Sequence, residues 1–358
     1  MALDDFFEHM KYGQPYIRGE VDGADFSQRE VAGLTVVETK FVEANFARAK
    51  LKSMMFVNCD FSLGSFAAAT FVKCQFVRCD LQGVRFDSAI IEDSMFTECN
   101  GDKAAFPSAN MLKTIFMKTS LQGADFSGAR LEKSMLMNCV LSGIDLSRGD
   151  LRNVALTEAD LRTANLDQLN CDTIMVMEAD LSGRDLRSLK LARANLMKTS
   201  FAGSNLAGME LTGGVFKEAN LQRADLSGAK ASMTLFAEAD LSGANLRNAD
   251  LSLTNFEGAN LQAADFGGAK LEYSVLTNAK AAAARFDGAD LSIARFGYAD
   301  LKGAVFSGAR FKQTDLHCAV LDGSLSDGAS GSTLPTDQAR AIAELYDPRR
   351  VAPNDLET

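Results

Sequence analysis

From position 21 to 321, residue numbers ending in 1 or 6 are held almost entirely by Leu and Phe. Those two types occupy 51 of the 61 such positions, and the phase never slips. Counting matches against a template is the proper test of periodicity. Residues 239–251 show the unit most plainly: a small residue, Asp or Asn, Leu or Phe, then two positions that are polar or Gly. A period of five fits neither a strand at two nor a helix at 3.6. The chain must therefore turn once in every unit.

Each slot has a physical reason. The small residue two before the centre, as at Ala24, Ala124, Ala224 and Ala264, lets two backbones approach closely. Asp and Asn just before the centre suit turns, because their side chains bond nearby backbone groups. Gly shortly after the centre supplies permissive backbone angles. Four units turn the chain through a square, so one coil takes twenty residues. Coils stacked at the strand spacing of about 4.8 Å give roughly fifteen layers and a rod of about 70 Å. A single coil cannot bury its own apolar face, so stability comes from stacking.

The expected organisation has three parts. Residues 1–20 form an N-terminal cap, with Leu3, Phe6, Phe7 and Met10 along one side of a short helix. Residues 21–325 form the repeat. Residues 326–358 form a Gly/Ser-rich linker, a short helix starting near Pro335 and carrying Ala339, Ile342, Ala343 and Tyr346, and a disordered tail. One centre fails outright at Gly101, and Pro107 follows soon after, so a bend or bulge is expected over 100–107.

The unit resembles that of the pentapeptide-repeat family, A(D/N)LXX. The resemblance implies an all-β solenoid, a right-handed quadrilateral β-helix with short helical terminal segments. A hexapeptide left-handed β-helix would lose phase within a few units. Some members of the family, of the fluoroquinolone-resistance type, are rod-shaped mimics of duplex DNA that bind topoisomerase (gyrase). Others are secreted or secretion-associated effectors. Both are alternatives for this chain.

Composition narrows the function. The net charge is −10 and the pI near 4.9, which argues against direct nucleic-acid binding. No run of eighteen apolar residues is present, so no membrane span is expected. The acidic N-terminus lacks the pattern of a signal peptide. Cytoplasm is the expected compartment, with secretion by a signal-less route as the alternative. Five of the seven cysteines, Cys59, Cys74, Cys79, Cys99 and Cys139, hold the small slot, Cys171 holds a centre, and Cys318 stands outside both; no CxxC occurs. They read as small buried hydrophobes rather than as a disulfide or metal framework. The two histidines, His9 and His317, are far apart, and no nucleophile triad, P-loop or HExxH is present. No enzyme activity, cofactor or metal is expected.

The outward slots carry what remains. One wall is centred on Val36, Phe56, Phe76, Phe96, Phe116, Leu136, Leu156, Val176 and Leu196. Its outward slots hold Met55, Val57, Val77, Met95, Ile115, Met117, Met135, Met137, Met175, Met177 and Met197. Eight of the 14 methionines lie in this stripe. Stacking by twenty predicts a continuous apolar strip. Large exposed apolar patches mark interaction sites, and Met suits adaptable ones. The expectation is a non-enzymatic rod that docks a protein partner or a second subunit, as a homodimer, through this wall. Acids interspersed with Lys and Arg, and the apolar wall itself, depart from the pattern of a DNA mimic.

Overall fold

The computed structural model describes residues 2–345. The Tyr346 face of the C-terminal helix and the tail expected to be disordered lie outside the described residues. The chain forms a parallel β-solenoid of about sixteen turns with a short helix at each end. Successive coils pair at an interval of twenty: Asp125 with Asp145, and Asp145 with Asn165. The centres Phe126, Leu146 and Leu166 therefore stack on one wall, all buried.

Backbone accounting explains the period. A buried backbone N–H must find an acceptor. The centre donates to the coil ahead, as Phe26 N to Asn45 O at 2.7 Å. The residue two later does the same, as Gln28 N to Ala47 O at 3.0 Å. The residue before the centre donates to the coil behind, as Asn45 N to Ala24 O at 2.9 Å. The small residue closes the turn, as Ala24 N to Val21 O at 3.1 Å. The fifth N–H, just after the centre, goes to the preceding Asp or Asn side chain, as Ser27 N to Asp25 Oδ1 at 2.9 Å. The slot two after the centre is left-handed in nearly every unit, whether it holds Gly or a side chain; Thr163 and Ser188, both in the irregular stretch, are exceptions.

Two walls depart from this turn pattern in the N-terminal half. The Met-bearing wall is a nine-stranded parallel sheet running from Tyr16–Ile17 to Met175–Met177. Beside it lies a six-stranded sheet from Glu30–Ala32 to Arg130–Glu132. Here the Asp or Asn before the centre is often replaced, as in Met55–Val57, Gln75–Val77 and Ile115–Met117. Without that side-chain acceptor the turn is weakened, and β-branched and aromatic residues favour extended backbone. Elsewhere the walls are joined by isolated parallel bridges.

The bulge expected at 100–107 is absent. Gly101 N reaches Ser120 O at 2.7 Å, and Ala104 N closes its turn on Gly101 O at 3.0 Å. Leu121 fills the missing volume: a Cβ on Gly101 would lie 3.0 Å from its Cδ2. Pro107 fits because its slot is the one whose N–H takes no part in the ladder. Ala105 stands where other units carry the matching Asp acceptor. Missing donor and missing acceptor coincide.

The irregular stretch lies further on. Among the described residues, the bond to the coil behind is missing at Asp160, Asp185, Lys190 and Glu210. The bond ahead is missing at Leu141, Leu166, Cys171 and Leu191. Oversized residues adjoin the breaks at Asp185, Lys190 and Glu210: Leu169, Arg184 and Leu189 all occupy the small slot. The core there holds Leu in place of the stacked Phe rings on either side. A cavity of about 30 Å³ opens among Leu146, Leu166, Cys171, Val176 and Leu191.

At the N-terminus, α1 (Ala2–Tyr12) lays Phe6 over the first coil. Phe6 is fully buried, with its ring 5.1 Å from both Tyr16 and Phe26. At the other end the structure differs from the expected linker. Ser330–Leu334 is a strand paired with Arg310–Asp315, and it adds a final rung. The pairing shifts register at Gly331, where a Cβ would sit 1.6 Å from Phe311 O. The last helix, α2, spans Gln338–Leu345. Its N-cap is Asp337, not the neighbourhood of Pro335: Asp337 Oδ1 accepts from Arg340 N at 3.1 Å.

Candidate functional site

The residues singled out in the sequence fall on the nine-stranded sheet, in two columns flanking the buried centres. One column runs Met55, Gln75, Met95, Ile115, Met135, Ala155 and Met175. The other runs Val57, Val77, Thr97, Met117, Met137, Thr157 and Met177, with Met197 one coil on. Register places Met95, Ile115 and Met135 on successive rungs, and Met117 beside Met137.

The strip is half-buried rather than fully open. Met55 and Met175 are the most exposed, at 37% and 40%, and the others are partly covered by their neighbours. It is also interrupted. Gln75 and Thr97 divide its first part, and Ala155 with Thr157 leave a shallow gap before Met175. The densest part is Met95 to Met137. Neither α1 nor α2 lies over it. On one corner Lys198 pairs with Glu178 at 3.3 Å, and on the other Lys113 sits 3.8 Å from Asp93. The apolar band is thus edged by polar groups.

A second apolar feature escaped the sequence reading. Met233, Leu253, Tyr273 and Ile293 stack along the corner next to the same wall, all in the left-handed slot. The first three are 59%, 56% and 55% exposed. Bulky and β-branched side chains are disfavoured at positive φ. The clue in the sequence was their common twenty-residue spacing in a slot mostly given to Gly and polar residues.

The thiols do more than fill space. Cys59, Cys74, Cys79, Cys99 and Cys139 each donate to a carbonyl 23 residues back, as Cys139 Sγ to Phe116 O at 3.4 Å. Thr119 and Thr199 make the same bond from the same slot, at 3.1 and 3.0 Å. All seven cysteines are free. Burial pushes Cys74 and Cys139 up, and Cys171 to about 11, so these thiols resist ionisation.

The two histidines stay at opposite ends. His9 Nδ1 lies 2.9 Å from Asp5 O. His317 is buried beside Glu344. Among the described residues no three His, Cys, Asp or Glu side chains converge as metal ligands, and no helix is long and apolar enough to cross a membrane.

The fold and its outward-facing slots define a class, the square-sectioned β-solenoid built from five-residue units. Models of the pentapeptide repeat region match residues 69–146, and models of pentapeptide repeats match further segments from 44 to 325. Together they leave out only 171–176 and 218 within that span. The chain belongs to the pentapeptide-repeat family. Among solved structures it is similar to the plasmid-mediated fluoroquinolone resistance protein QnrB1, at 23% identity over 56% of this chain and 90% of that one, with a TM-score of 0.35. It is also similar to HetL, involved in heterocyst differentiation regulation in Nostoc sp. strain PCC 7120, at 22% identity over 81% and 96%, TM-score 0.20. A third is a thylakoid-lumen pentapeptide repeat protein of Arabidopsis thaliana, at 26% identity over 36% and 74%, TM-score 0.11. No curated protein matches.

Proposed function

We propose that this chain is a non-enzymatic interaction rod, and that it docks a protein partner through the Met-rich sheet. One observation carries the reading: apolar side chains predominate in both outward columns of a single wall. On the other walls the slot before the centre is mostly Asp, Asn, Lys, Arg or Ser. Burying a half-exposed Met removes roughly 25 cal/mol per Å² of apolar surface from water. Four methionines, Met95, Met117, Met135 and Met137, with Ile115 between them, form a compact anchor. Thioether side chains adapt to more than one partner shape.

Mimicry of duplex DNA has less support. It would draw on rows of free acids, whereas Arg162 binds Asp160 at 2.8 Å and Asp180 at 3.2 Å, and Arg187 binds Asp185 at 2.7 Å.

The double substitution Met137→Glu, Met175→Glu tests the docking wall. Affinity capture from the native cell and light-scattering mass would be measured for the full chain. Loss of partner or of self-association, with an unchanged β-rich circular dichroism spectrum, is the expected result. Capture and mass identical to the wild type would sink the proposal.

A further inference from the structure

The segment after the last rung folds back across the C-terminal end of the Met-bearing wall. Its contacts converge on one carboxylate. Glu344, on α2, accepts from the Tyr298 hydroxyl. His317 Nε2 lies 3.2 Å from the same oxygen of Glu344. Arg340 Nε donates to the other oxygen at 2.7 Å. Tyr298 and His317 sit on successive coils, so Glu344 ties α2 to two layers of the rod. His317 Nδ1 accepts from Asp337 N at 3.2 Å, which leaves Nε2 as the protonated nitrogen that donates to Glu344. Arg340 also reaches Asp315 at 3.5 Å. Cys318 N donates to Thr336 Oγ1 at 3.0 Å, just before the helix.

Apolar contact adds little. Ile342 is 71% exposed, and Ala343 is exposed as well. A helix of eight residues is marginal alone and depends on what it packs against. We infer that α2 is a latch held shut by the Glu344 carboxylate, which opens as a unit and, when closed, shields His317 and Cys318 at the end of the rod. This stands apart from the docking proposal, since α2 lies several coils beyond Met197. Opening would uncover a buried imidazole and a thiol without disturbing the coils beneath. The groups on Glu344 are Tyr298 and His317 from the coils and Arg340 from the helix, with Asp315 held to Arg340 and the Asp337 amide to His317.

The chain carries its own reporter. Cys318 is partly exposed, while the other six cysteines are buried. The rate of reaction of the native protein with 5,5′-dithiobis(2-nitrobenzoate) would be followed at pH 8. Glu344→Gln should raise the rate at one thiol per chain by about fivefold or more, because charge-assisted hydrogen bonds are lost. Arg340→Ala should act in the same direction and less strongly. Unchanged rates in both variants would overturn the latch. So would several thiols reacting together, since that reports unfolding of the coils rather than release of the helix.

Discussion

The Arg184 guanidinium takes the carbonyl of Ala164, at 2.6 Å, which the ladder elsewhere reserves for the backbone N–H 21 residues later. That N–H belongs to Asp185, whose bond is missing. Arg184 also donates to Leu161 O at 2.9 Å and Arg162 O at 3.0 Å. A long side chain in the small slot has pushed two coils apart and satisfied the freed acceptors itself. Arg184→Ala should let them close. Stability in urea is expected to stay within about 1 kcal/mol of the wild type or to exceed it, as for other relieved overpacking. The Asp185 amide should gain protection in hydrogen exchange.

Hydrogen exchange of the unaltered chain should show the same stretch from outside. Local opening follows low bond and packing density. Amides over 141–191 are expected to exchange faster than those over 221–300, where the ladder is unbroken. Uniform protection along the rod would contradict the origin given for the gaps.

Proline scanning should separate the two kinds of unit. Ala237 follows Phe236 and has Leu235 where the Asp acceptor would be, as Pro107 has Ala105. Ala237→Pro is expected to be neutral or to stabilise by about 0.5–1 kcal/mol through the unfolded chain. Ser242 N donates to Asp240 Oδ1 at 2.9 Å. Ser242→Pro loses that bond and should cost about 1 kcal/mol relative to Ala237→Pro. Denaturant midpoints of the pair provide the check.

Acid should weaken the rod in a defined window. Hydrogen bonds from Arg152, Arg162 and Arg187 hold Asp150, Asp160 and Asp185 below the ordinary carboxylate range, Asp185 at about 2. A carboxylate whose folded pKa is depressed contributes stability above its unfolded value, near 3.8, and loses it as pH falls through the folded value. Each pair is exposed and individually weak. Stability is therefore expected to be level above about pH 5 and to fall between pH 4 and 2. Asp185→Asn should make that fall shallower, as read from urea midpoints across the range.

The core was legible because one residue type recurs at a period no other architecture tolerates. The assignment of Phe126, Leu146 and Leu166 to one wall follows from that count alone. The Met columns followed too, once each coil was set at twenty residues. The extended character of two walls was less visible. It depends on what replaces the Asp before the centre, a local signal that the dominant period hides. Gly101 misled because an empty slot was judged by itself, while Leu121 from the next coil fills it. Arg184 passed unnoticed for the opposite reason: its neighbours kept the phase although its bulk broke the ladder. The docking of α2 rests on Glu344 meeting Tyr298 and His317 from distant units, and no periodicity carries such a contact.

Because the backbone bonds run from coil to coil, they lie along the long axis of the molecule. A pull on the two ends stretches the rungs in series, and the feeblest rung sets the force at which the chain gives way. The layers around Arg184 are that rung, so tension should part the molecule near its middle, leaving two shorter columns each still carrying its own terminal helix.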